Sequence, residues 1–113
     1  MIAAPLLTQL ERAKNGLEDV QIALCGAVTA HAEARRTLEL AEALKLCEGV
    51  EGKNEAQRDA KLRLELSAEY TALAEAEDAI TDARCGLEVA RLEWKLARYS
   101  VRVLEPQSLR EAA

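Results

Sequence analysis

Few residues in this chain have types and spacings that suggest chemistry. Gly52-Lys53-Asn54, within VEGKNEAQRDAKL, sets a cation beside a permissive backbone, as a phosphate-binding loop does. Such a loop needs a preceding strand and a longer glycine-rich run ending in Lys and Ser or Thr, and neither is here. His31 is the only histidine, and no second His or thiolate stands at ligand spacing from it. Cys25, Cys47 and Cys85 are odd in number and lack a CxxC pair, so they read as reduced thiols, buried or half-buried. No nucleophile, base and orienting group fall together, and scarce aromatics leave little material for a pocket. The sequence therefore predicts no enzyme, no cofactor and no metal.

Two stripes in the last third of the chain offer binding rather than catalysis. Cys85, Val89, Leu92, Leu96, Tyr99 and Val103 recur at steps of four and three, an apolar helical stripe. At 100° per residue, position 89 lies about 200° from position 87, so this stripe faces away from the Leu87 side. Val89, Leu92, Leu96, Tyr99 and Val103 are the candidate partner interface, with a second copy of the chain as the simplest occupant. Leu40, Leu44 and Cys47, with Leu64, make a smaller apolar patch. Arg91, Lys95, Arg98 and Arg102 form a basic stripe beside Trp94 and Tyr99, the candidate nucleic-acid contact. The plainer reading of these cations is a solvated face that complements the helix macrodipole, since Glu65 to Asp82 is acidic and Arg84 to Arg102 is mainly basic.

The elements that position these residues follow from periodicity. Leu10, Ala13, Leu17, Val20, Leu24, Ala27, His31, Ala34, Leu38 and Ala41 form one heptad seam. Leu66, Leu73, Ile80, Leu87, Trp94 and Val101, interleaved with Leu62, Glu69, Ala76, Ala83, Ala90, Ala97 and Leu104, form another. The spacing predicts an all-α antiparallel coiled-coil hairpin as a single domain. Its first helix runs from about 5 to 48, roughly 65 Å at 1.5 Å per residue. A turn comes next at about 49–53, then a second helix at about 54–104 and a short tail at 105–113. Pro5 suits a first turn, and Pro106 is expected to stop the second helix. Asn15-Gly16 is a turn dipeptide, but the seam keeps its phase across it, so the first helix is expected to continue.

The turn has its own parts. Gly49 can end a helix in the left-handed conformation, Gly52 adds a second permissive point, and Asn54 with Gln57 has capping-box spacing. Arg58 is expected to reach back to Glu48, Glu51 or the open carbonyls of the first helix. A turn centred near residue 52 pairs Leu38 with Leu66, Leu24 with Ile80, Leu10 with Trp94, and Gly16 with Gly86. His31 then meets Leu73, with Glu69 as its polar neighbour, a pair that would fix register.

Composition narrows the class. The chain has 113 residues, 31% of them charged, and a net charge of −5. Its apolar residues are mainly Ala and Leu, as in long helices. The acidic balance disfavours general nucleic-acid binding. MIAAPLLTQLERAK has no basic n-region, and no stretch is long and apolar enough to span a membrane. A reducing, cytoplasmic location is expected.

The segment GKNEAQR, with Gly52, Lys53, Asn54 and Arg58, resembles the central GKN-x-x-x-R segment of small helical phage and prophage proteins of unknown function. The resemblance covers the turn and the start of the second helix. It implies a phage-derived cytoplasmic accessory protein working beside DNA replication or recombination proteins, with no catalytic residues. Gly52, Lys53, Asn54 and Arg58 would be the recurring hairpin-tip positions, and Lys53 is the one the turn geometry leaves unexplained. Together these features predict a non-enzymatic interaction or adaptor protein that dimerises into a four-helix assembly. A nucleic-acid-binding accessory protein is the alternative.

Overall fold

The computed structural model describes residues 4–112, with side chains described for 4–104. The chain is all-α: α1 spans Ala4–Glu48, α2 Glu55–Glu65 and α3 Ser67–Ala112. No strand occurs among the described residues. The two long helices, α1 and α3, pack together. The chain divides into two compact units. One combines residues 1–25 with 82–113, and the other is the continuous segment 26–81.

In the continuous unit, Leu38 of α1, Leu62 of α2 and Leu66 form a buried cluster. Ala41, Val50, Tyr70 and Leu73 pack against it. The Leu38–Leu66 layer is the one expected from the seams. The polar pairing differs. His31 Nε2 lies 3.6 Å from Glu77 Oε1, two helical turns beyond the expected Glu69. Leu66 has φ −105° and ψ 26°, outside helical values, and separates α2 from α3. Its N–H still donates to the Leu62 carbonyl at 2.9 Å, and its carbonyl accepts from the Tyr70 N–H at 3.0 Å. The helix is thus interrupted at Leu66, while Leu62, Leu66, Glu69 and Leu73 stay on the buried or half-buried side across the break. Lys45 Nζ sits 3.8 Å from Glu65 beside this point.

In the other unit, the antiparallel sense is carried by Val20 against Gly86 and by Gln9, Arg12 and Ala13 against Glu93, Leu96 and Ala97. Leu87, Ala90 and Ala97 are its buried residues. Gly86 does not meet Gly16. A Cβ on Gly86 would lie 3.6 Å from Val20 Cγ1, whereas nothing lies within 4 Å of one on Gly16. The branched Val20 side chain fills the space above the bare glycine, one turn from the expected partner. α1 passes through Asn15-Gly16 without a break.

Three further expectations are corrected. α3 does not stop at Leu104; its backbone is helical through Pro106 to Ala112. Proline's fixed φ is itself helical, and what it removes is one N–H donor. Leu104, expected on the seam, is exposed. Cys25, Cys47 and Cys85 are all exposed rather than buried, because each lies off its helix's seam. No helix among the described residues is long and apolar enough to cross a membrane.

Candidate interaction face

The second half of α3 has two working faces. Leu87, Ala90 and Ala97 point into the packed seam, with Ala97 only 2% exposed. Val89, Leu92, Leu96, Tyr99 and Val103 point outward, at 56%, 58%, 63%, 66% and 42% exposure. Cys85 continues the same stripe and is exposed. Single exposed leucines need no explanation, but these side chains form a periodic exposed stripe of aliphatic and aromatic residues.

Cations edge this stripe. Leu92, Leu96 and Tyr99 share a shallow groove with Lys95, Arg98 and Arg102. Arg91 donates to Glu88 Oε1 at 2.9 Å. The Arg98 guanidinium sits 5.9 Å from the Trp94 ring centroid. Among the described residues, no carboxylate pairs with Lys95, Arg98 or Arg102. Arg91, Lys95, Arg98 and Arg102 follow one another at steps of four, three and four. Each such like-charged neighbour pair costs a helix about 0.2–0.5 kcal/mol. On the other side of the groove between α1 and α3, Glu93 and Leu96 face Gln9, Arg12 and Ala13.

The turn residues form a separate, well-specified structure. Gly49 takes φ +90°, closing α1, and its N–H reaches the Leu46 carbonyl at 3.3 Å. Val50 then folds onto the Leu38 cluster, the hydrophobic contact that commonly accompanies such an ending. Asn54 is the N-cap of α2, with its Oδ1 accepting from the Gln57 N–H at 2.9 Å. Gln57 Oε1 accepts in return from the Lys53 N–H at 2.9 Å. This is a capping box displaced by one residue, since the return bond reaches Lys53 rather than Asn54.

Gly52 serves by its size rather than by a left-handed φ, which only Gly49 adopts among the described residues. A Cβ there would meet Arg58 Cγ at 2.7 Å and the Arg58 N at 3.0 Å. Arg58 does not pair with Glu48 or Glu51, as expected from the sequence. Lys45 lies 3.9 Å from Glu48 and Lys61 lies 3.3 Å from Glu51, so both carboxylates have other partners. Gly52 and Arg58 are instead linked by backbone proximity, and the Lys53 side chain is exposed.

Sequence reasoning missed one cluster. The Tyr70 hydroxyl donates to Glu42, and the Arg63 guanidinium lies 5.5 Å from the Tyr70 ring centroid. The bond to Glu42, burial and the Glu42 charge together hold the Tyr70 phenol above its ordinary pKa, with Arg63 opposing. These residues sit off both seams, so heptad counting gave no signal for them. Ile22, exposed beside Glu18, Gln21 and Cys25, was missed as well, because one large apolar residue makes no stripe. Among the described residues, no group of three or more His, Cys, Asp or Glu is placed to hold a metal ion.

The fold and the face define a class: an all-α chain of two packed long helices with an outward apolar stripe on one of them. Comparison with protein-family models, with curated proteins and with solved structures finds no match to this chain.

Proposed function

We propose that this chain is a non-enzymatic interaction module, an adaptor whose α3 outer face seats a helix from another polypeptide. One observation carries the reading. The helix that buries Leu87, Ala90 and Ala97 against α1 turns a second, periodic apolar stripe, Val89 to Val103, to solvent. A helix apolar on two faces stays half-covered until it meets a partner. A second copy is the simplest such partner and would give a four-helix dimer. The GKNEAQR resemblance supports placing the module in the cytoplasm, beside phage DNA metabolism.

The experiment is molar mass by light scattering on the wild type and on Leu92→Glu/Leu96→Glu, joined to capture of partners from host extract. A wild-type dimer that becomes a folded monomer on substitution supports the face as a self-assembly surface. A wild-type monomer whose captured partners are lost on substitution supports a foreign helix. A monomer with the same captured partners in both forms overturns the reading.

A second reading has its own observation. Lys95, Arg98 and Arg102 share one groove with Tyr99, as a nucleic-acid backbone contact would require. Arg91, tied to Glu88, and Lys53 at the tip would add to it. A gel shift that weakens steeply with salt and disappears when these cations become Glu supports this reading. No shift at low salt removes it.

A further inference from the structure

We propose that the occupant of the α3 outer face is an amphipathic helix from a different chain, with an aliphatic stripe edged on one side by Asp or Glu. The inference rests on the reading of that face as a docking surface, and it names the partner's chemistry.

Charge decides between occupants. In helical projection, Lys95, Arg102, Arg84, Arg91 and Arg98 all fall on one side of the Val89–Val103 stripe. Among the described residues 84–104, Glu88 is the one carboxylate there, and Arg91 already holds it at 2.9 Å. The opposite side carries Glu93 and Ser100 and leads to Gly86 and Ala97, toward α1. The open edge is therefore basic. Lys95, Arg98 and Arg102 have no carboxylate partner among the described residues. They also repel one another at helical spacing. A row of carboxylates laid along this edge removes that repulsion and leaves the aliphatic groove to be filled by aliphatic side chains.

A second copy fits less well. A two-fold contact joins the same patch on both molecules. In the antiparallel register that layers Leu92 on Leu96, Lys95 meets Lys95 of the second copy and the basic edges run together. Only Glu88, opposite Arg102, offers a pair, and it must leave Arg91 to do so. In a parallel pair Glu88 meets Glu93 of the second copy, and Lys95 meets Ser100. Neither arrangement neutralises the edge. Nucleic acid would satisfy the cations but not the groove. Tyr99 offers one exposed ring, but Val89, Leu92, Leu96 and Val103 are aliphatic and cannot stack bases, and Trp94 is half-buried on the seam side.

The test uses the full chain and two synthetic helical peptides with identical leucine stripes. One carries Glu along one edge and the other carries Lys. Binding is read by fluorescence anisotropy at low and at physiological salt. The Glu-edged peptide is expected to bind at least about thirtyfold tighter at low salt, with the ratio shrinking as salt rises. Lys95→Glu/Arg102→Glu should invert the preference, and Leu92→Glu/Leu96→Glu should abolish both complexes. Circular dichroism verifies that each variant is folded. Equal affinity for both peptides, lost in the leucine variant, overturns the acidic partner and keeps the docking face. Binding of neither peptide, or binding indifferent to the leucine variant, overturns the face itself. A wild-type dimer broken by the leucine variant assigns the face to a second copy. A duplex oligonucleotide whose binding needs Lys95 and Arg102 but not Leu92 and Leu96 assigns the cations to nucleic acid. Each of those two results also overturns the proposal.

Discussion

At the scale of single residues, the turn shows two glycines with different physical duties. Gly49 supplies φ +90°, which a side chain makes costly. Gly52 supplies the absence of a Cβ where the chain passes Arg58. Gly52→Ala is expected to destabilise the protein by about 1–3 kcal/mol, in the range of overpacking. Arg58→Ala should recover only part of that loss in the double variant. It removes the Cγ contact at 2.7 Å but leaves the backbone N at 3.0 Å and the Cα at 3.3 Å. Urea denaturation of the four proteins in the cycle measures this; full recovery would place the clash in the side chain alone. Tyr70 makes a pH prediction. Its phenol is held above the ordinary value by Glu42, so folding favours the protonated form. That stability is fully present below the unfolded pKa, near 10, and is lost as pH rises through the higher folded value. Denaturation midpoints should therefore fall from about pH 10 upward, relative to Tyr70→Phe. Parallel curves for the two proteins would show that Tyr70 does not drive the loss.

At the scale of elements, the seams work through alternation of large and small residues. Ala90 and Ala97, at 4% and 2% exposure, are the small residues of α3 buried in its seam. Ala97→Leu should cost about 1–3 kcal/mol by overpacking. The same change at exposed Ala79 should stay within about 0.5 kcal/mol. Similar losses at both sites in urea titrations would show that helix spacing is not set by small residues. The seams were legible because burial imposes a period on sequence. Leu10 through Ala41, the leucines and alanines of the first seam with His31 and Val20, fall at partly or fully buried positions. The outer stripe was legible from its own steps of four and three, although its side chains are exposed. Events at single residues carry no period. The helix break at Leu66 lies in one pair of dihedral angles, and leucine itself gives no hint of it. The helix past Pro106 depends on how few hydrogen bonds a proline removes, and the Tyr70–Glu42 bond depends on a contact that neither seam specifies.

At the scale of the whole molecule, the two units differ in how the chain must close to make them. Residues 26–81 are continuous, and Leu38 reaches Leu66 through one turn. The other unit joins 1–25 to 82–113, and the chain between Val20 and Gly86 is more than twice as long as that between Leu38 and Leu66. Closing a longer loop costs more entropy unless the intervening segment is already folded. The continuous unit should therefore form first, and its order should be a precondition for the other. Local opening then becomes directional. Leu38→Ala and Leu87→Ala each remove a buried leucine, at about 2 kcal/mol for cores this thin. Amide exchange measured by mass spectrometry separates the consequences. Leu87→Ala should speed exchange roughly thirtyfold in 4–25 and 82–104 and leave 30–76 protected. Leu38→Ala should speed exchange in both units, because 26–81 holds the closure on which the other depends. Acceleration of both units by both substitutions would mean that the chain opens as one cooperative body. Acceleration confined to the mutated unit in each case would mean that the longer closure stands without the shorter one, and the loop-entropy argument would fail.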